Sequence, residues 1–239
     1  MGTLKVDQSV RPVRRFKGGA TQAEATLNHY LGARFNHYAT VRGRPEAGAA
    51  SHMSPYLHYG QISPVAIALR VRAAATCGED DKAAYLEELI VRRELAMNHN
   101  FYEPNYDSYE AAPAWTRRTV DAHRRDPRPY LYTPEQFERS ETHDRYWNAA
   151  MMEMRETGYM HNHMRMYWGK KIVEWSASPE EALETALILN NKFFIDGRDA
   201  NSFTNVIGKR SFGREPDVGR SWLPRRRAQA RVSDVGGAS

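Results

Sequence analysis

Gly158-Tyr159-Met160-His161-Asn162-His163-Met164-Arg165-Met166-Tyr167-Trp168-Gly169-Lys170-Lys171-Ile172-Val173-Glu174-Trp175 is the stretch on which the fold turns. It lacks the strict apolar–polar alternation of a half-buried strand. Trp168 and Trp175 are seven residues apart, which puts them on one helix face two turns from each other. The spacing predicts a helix over 159–175. Trp147 falls in a preceding helical stretch, 144–156, parted from the first at Gly158, so two helices are expected to pack with three indoles between them. Such a cluster reads either as an aromatic core stripe, the commoner case, or as a path along which an electron hops. His161-Asn162-His163 spells a tripeptide known from nucleases, but it sits in a helix without that motif's context and is discounted.

Helical signals continue in both directions. Ala25, Leu27, Leu31, Phe35 and Tyr38 give helical periodicity over 21–40, and 43–50 is a Gly/Pro/Ala loop. Ser63-Pro64 is an N-cap with proline at the first helical position, opening a helix to about residue 76. Leu86, Leu89, Ile90, Leu95 and Met97 mark a strong helix over 85–100. Thr133-Pro134-Glu135-Gln136 and Ser178-Pro179-Glu180-Glu181 are capping boxes, the second opening a helix to about residue 189. Strand signals are almost absent. The expectation is an all-α domain of roughly eight to ten helices over residues 20–207. Residues 1–19, ending in Gly18-Gly19, read as a linker from a preceding domain. Residues 208–239 fit no helix or strand template and read as a disordered tail.

That tail holds eight Lys/Arg against three Asp/Glu, which accounts for the whole net charge of +5. The remainder is balanced, so any nucleic-acid face must be a local patch. The single cysteine, Cys77, excludes an internal disulfide and a thiolate metal cluster and fits a reducing compartment. His52 and His58 have no metal-ligand spacing, so no metal is expected. With no long apolar run and a polar, basic start, no membrane association is expected. A monomer in the cytoplasm is expected, associated with the nucleoid when on DNA, or in the nucleus of a eukaryotic cell.

Three further blocks carry chemistry. Ser51-His52-Met53-Ser54-Pro55-Tyr56-Leu57-His58-Tyr59-Gly60-Gln61-Ile62-Ser63 is either a capped inter-helix loop or a set of donors for a phosphate. Glu87-Glu88-Leu89-Ile90-Val91-Arg92-Arg93-Glu94-Leu95 sets Glu88 opposite Arg92 at i,i+4, which by itself reads as a solvated ion-pair face. Asp196-Gly197-Arg198-Asp199-Ala200-Asn201 is common turn chemistry that also offers acceptors and donors to a heterocycle edge.

Taken together, the four blocks resemble the class II cyclobutane-pyrimidine-dimer photolyases of the photolyase/cryptochrome family. The patterns S-x-x-S-P-Y-L-H-[FY]-G-Q-I-S, E-E-L-I-V-R-R-E-L, W-N-A-x-x-x-E-M-x-x-x-G-x-M-H-x-x-M-R-M-Y-W-x-K-K-I-x-E-W and D-G-R-D-x-N stand in order between Leu4 and Ile207. The resemblance implies an all-α domain holding FAD. Ser51, Met53 and Ser54 would lie against the flavin phosphates with Tyr38 nearby. Arg165 and Asp196 would form a salt bridge beside the isoalloxazine. Asn190 would face N5, and Asp199 and Asn201 would belong to the same flavin-binding loop. Glu88 would hydrogen-bond a flipped-out pyrimidine dimer, with Met166 beside it. Trp168, Trp147 and Trp175 would be the proximal, middle and distal members of a photoreduction chain. The partner is then UV-damaged DNA. The lesion leaves the stack cheaply because it already pairs poorly, and one electron, lent and returned, opens the cyclobutane ring.

Three departures from the family pattern set further expectations. The family's N-terminal antenna domain does not precede residue 1. Gly208 stands where the family has a Trp that stacks on the lesion, and residues 209–239 resemble the product of a shifted reading frame. Met97-Asn98-His99-Asn100 replaces the family's acidic and aromatic residues. Weak FAD binding and weak repair are the consequence expected for this chain alone. The alternatives are a non-catalytic remnant, a cryptochrome-like photosensor, or a basic helical DNA-binding protein.

Overall fold

The computed structural model describes residues 8–207. Residues 1–7 of the linker expected over residues 1–19, and the disordered tail expected from Gly208, lie outside the described residues. Those described form twelve α-helical segments and no strand: α1 (Ala20–Ala33), α2 (Tyr38–Val41), α3 (Ser54–His58), α4 (Pro64–Ala73), α5 (Glu79–Leu86), α6 (Arg93–Tyr102), α7 (Ala114–Ala122), α8 (Pro134–Arg139), α9 (Arg145–Thr157), α10 (Asn162–Trp175), α11 (Pro179–Phe193) and α12 (Ala200–Ile207). No described helix is long and apolar enough to cross a membrane.

Helix starts follow local chemistry. Thr133 and Gln136 exchange the two hydrogen bonds of a capping box at α8. Ser178 accepts from the Glu181 N–H, and Asp144 accepts from the N–H groups of Tyr146 and Trp147. Gly158 ends α9 at φ +67, and its carbonyl accepts from the Ile195 N–H. A Cβ on Gly158 would meet Val13 at 3.0 Å and Ile195 at 3.2 Å, so both the conformation and the space require glycine.

Several boundaries differ from expectation, and the first two have a physical cause. The single helix expected over 21–40 is broken between α1 and α2, where His37 adopts φ +65. Asp81, buried on α5, accepts from the backbone N–H groups of His37 (2.9 Å) and Ala39 (2.8 Å). A carboxylate distant in sequence thereby satisfies donors that a continuous helix would have used internally. The helix expected over 85–100 starts earlier, at Glu79, and ends at Tyr102, with a π-helical turn over Glu87–Arg92 between α5 and α6. That turn overturns the Glu88–Arg92 pairing, because five-residue spacing brings Arg92 to Glu87 (3.3 Å) and frees Glu88 to meet Arg42 (2.8 Å). Helix α10 begins at Asn162 rather than 159, with His161 as its cap. Helix α11 runs on to Phe193 and carries Asn190, and Asn201 lies on α12 rather than in a loop.

Two apolar cores hold these helices. The first collects Leu27, Phe35, Met53, Ile67, Tyr85 and Leu89 from the N-terminal half. The second is built on Phe137, Trp147, Met151, Trp168, Trp175 and Leu189 from the C-terminal half. Helix α12 lies against α6 and α11, closing the space where the two halves meet.

Candidate functional site

A cavity of about 690 Å³ among the described residues is walled by both halves: Ser54, Leu57, Glu88 and Leu89 from one, Arg165, Trp168, Asn190 and Phe194 from the other. The turn after α11 adds Asp196 and Asp199, and α12 adds Asn201. That turn is tight. A Cβ on Gly197 would sit 2.7 Å from the Asn190 carbonyl oxygen and 3.0 Å from that of Phe194, so only glycine lets the chain fold back here.

Arg165 anchors one wall. Its Nη2 donates to both Asp196 oxygens (3.1 and 3.2 Å), its Nε donates to the Met160 carbonyl (3.0 Å), and its guanidinium lies over the Phe194 ring at 3.7 Å. Asp199 caps α12 by accepting from the Ser202 N–H (2.9 Å). Burial, and next the charge of Asp196, push the Asp199 carboxyl above its ordinary pKa. On the opposite wall Glu88 is held by Arg42, whose guanidinium stands over Tyr38 at 5.8 Å. The π-turn delivers Glu88 to this wall, in keeping with the frequency of such turns at functional sites.

Trp168 lines the cavity and leads away from it. Its indole stacks parallel to that of Trp147, with centroids 6.5 Å apart and planes 7° apart, and Trp147 meets Trp175 edge-on at 6.2 Å. The Trp147 indole N–H donates to the Trp168 carbonyl (3.0 Å), and all three rings are buried. The two readings left open for this cluster are therefore compatible: the indoles are core residues and also a contiguous ring path ending at the cavity wall.

The structure thus brings Ser54, Glu88, Arg165, Met166, Trp168, Asn190, Asp196, Asp199 and Asn201 to one cavity. Tyr38, Ser51 and Met53 stand outside its lining. Met53 is buried in the first core. Tyr38 packs against Tyr85, and Ser51 accepts a hydrogen bond from the Tyr85 hydroxyl (3.1 Å). Sequence reasoning missed Arg42 and Phe194. Nothing local marks Arg42 as the partner of Glu88, whereas Phe194, directly before the Asp196 turn, was within reach. Among the described residues no group of three or more His, Cys, Asp or Glu is placed to hold a metal ion.

No family model matches the chain. The chain is 45% identical over 210 residues to the deoxyribodipyrimidine photo-lyase of Methanothermobacter thermautotrophicus, a match covering 88% of this chain and 45% of that protein. It is 42% identical over 204 residues to the protein of that name from Potorous tridactylus, covering 85% and 38% of the two chains. It is 47% identical over 179 residues to that from Oryza sativa subsp. japonica, covering 74% and 35%. The chain therefore spans less than half the length of these relatives. Among solved structures, a class III photolyase from Agrobacterium tumefaciens superposes with a TM-score of 0.63 at 21% identity, over 79% of this chain and 37% of that one. A cryptochrome from Synechocystis sp. PCC6803 does so with a TM-score of 0.61 at 20% identity, over 83% and 41%. The helical fold is that of the photolyase and cryptochrome structures.

Proposed function

We infer that this chain is the helical, FAD-binding portion of a photolyase/cryptochrome-family protein of the class II type, and that it serves light-driven repair of cyclobutane pyrimidine dimers in DNA. One observation carries the reading. A single cavity joins the Arg165–Asp196 ion pair, the carboxylate of Glu88 and the first ring of a three-indole path. Close homology to several proteins named deoxyribodipyrimidine photo-lyase supports it. Residues 20–207 form the functional unit in this reading, working inside the cell on damaged DNA.

The residues present fit FAD. The cavity volume lies in the range of cofactor sites, and its walls combine apolar surface with a few convergent polar groups. Ser54 would offer its hydroxyl to the phosphates. Arg165, paired with Asp196, would place a positive charge beside the isoalloxazine, and Asn190, Asp199 and Asn201 would engage its polar edge. When bound, FAD would supply light absorption and the electron that opens the cyclobutane ring. The protein's own part is positional and electrostatic. Glu88 would hold the edge of a pyrimidine turned out of the duplex, with Met166 packed beside it. Arg42, 2.8 Å from that carboxylate, would hold it in place for the base. The indoles give an electron path between the cavity and Trp175.

The test is the visible spectrum of the chain after incubation with FAD, before and after blue light with a reductant. A flavin spectrum that bleaches supports the reading, and a thymine-dimer repair assay is the next step. A colourless chain that takes up no added FAD overturns it.

A further inference from the structure

Phe194 lies where three features of the site converge. Its ring is 1% exposed. The Arg165 guanidinium carbon is 3.7 Å from the ring centroid, and the Trp168 indole meets the ring edge-on at 6.4 Å and 82°. Its backbone is equally committed: its N–H donates to the Asn190 carbonyl (3.1 Å) and its carbonyl accepts from the Gly197 N–H (3.0 Å). One residue therefore ties Asn190 to the Asp196 turn through its backbone, and Arg165 to Trp168 through its ring.

The Arg165 side chain is partly open to the cavity, at 28% exposure, against 11% for Asp196. Its Nε and Nη2 are used, and Nη1 has no hydrogen-bond partner among the described residues. A long side chain with a free donor and partial exposure has rotamers to choose from. A π face held at contact distance selects the one in which the guanidinium plane stacks, because the ring quadrupole attracts the cation.

We propose that Phe194 is a positioning residue. Its face holds the Arg165 cation in the ion pair with Asp196, leaving Nη1 for an anionic ligand in the cavity, while its T-shaped contact fixes Trp168. The part concerning Arg165 stands on the packing alone. The consequence for photoreduction rests on the FAD reading.

The experiment is a double-mutant cycle on the full chain, read first without flavin by denaturant unfolding of Phe194→Leu, Arg165→Gln and the pair. The expected coupling changes the unfolding equilibrium constant by about three- to thirty-fold beyond additivity. Pentafluorophenylalanine at position 194 keeps the ring's volume and reverses the charge of its face. It should reproduce the loss of coupling, and it decides the matter if the leucine variant does not fold. With FAD added, Phe194→Leu should lower the flavin midpoint potential and slow photoreduction roughly tenfold, and it should do neither in the Arg165→Gln background. An additive cycle, or a pentafluorophenylalanine chain that behaves as the unaltered one, overturns the proposal. If the unaltered chain takes up no FAD, the FAD reading falls, and the flavin-free cycle still decides the role of Phe194.

Discussion

Trp147 touches both of its partner indoles, whereas Trp168 and Trp175 make no ring contact with each other among the described residues. Trp147→Phe removes the middle of that path together with the hydrogen bond to the Trp168 carbonyl. It should cost about 1–3 kcal/mol in denaturant unfolding. It should also abolish most blue-light bleaching of added FAD while leaving FAD uptake in place. Asp199 gives a pH-dependent test. Its carboxyl is raised in the folded chain, so between the ordinary 3.8 and the raised value the folded state holds more protons than the unfolded one. Stability contributed by this group therefore falls as pH rises through that window. Asp199→Asn keeps a side-chain oxygen for the Ser202 N–H and removes the buried charge. Thermal melts should show it stabilising at pH 7, with the gain shrinking toward pH 4. His52 behaves oppositely. Burial, then the charges of Arg15 and Arg34, lower its pKa to about 4. The folded state excludes a proton that the unfolded chain takes up near 6.5, and stability is lost as pH falls between those values. His52→Asn should flatten acid sensitivity in that window.

At the scale of elements, what could be read from sequence was what neighbours in the chain decide. The Thr133, Ser178 and Asp144 starts and the Gly158 stop are local exchanges of hydrogen bonds, and they fall close to where the residues put them. The break between α1 and α2 is decided by Asp81, far along the chain, and no window around His37 contains it. Asp81→Ala should cost about 2–4 kcal/mol in denaturant unfolding, because two backbone donors are left without their acceptor. The π-turn was hidden for a related reason: its six residues have ordinary helical composition, and the helix that follows it, α6, packs against α12, far along the chain. Inserting one alanine after Arg93, beyond the π-turn, would rotate the rest of α6 by about 100° relative to α5. The Thr204–Asn100 hydrogen bond between α12 and α6 would then be lost, and circular dichroism melts should show a lower, broader transition.

Across the whole molecule, the cavity walls were legible from composition and spacing only as residue types, and the family resemblance alone gathered them at one place. Glu88, the Arg165–Trp168 stretch of α10 and Asp196 lie in three separate sequence blocks, and it took the meeting of two cores to collect them, while Met53 and Tyr38 went to the packing behind. A ligand filling a space between two cores should bind only when both are formed. FAD at a hundred times its dissociation constant would then add about 2.7 kcal/mol, or roughly 5–10 °C in melting temperature. A scanning-calorimetry series in FAD would show this as a rising midpoint. The buried members of the first core all fall between Ala23 and Leu89, and those of the second between Tyr109 and Ile207. Each core is thus a contiguous run of chain. On a ribosome the earlier one has all its members outside the tunnel before the later one is complete, and domains emerging N-terminus first fold in that order. The cavity, which borrows a wall from each, is the last feature to exist. A chain stalled partway through synthesis holds one wall of the cavity and nothing that could enclose a ligand prematurely.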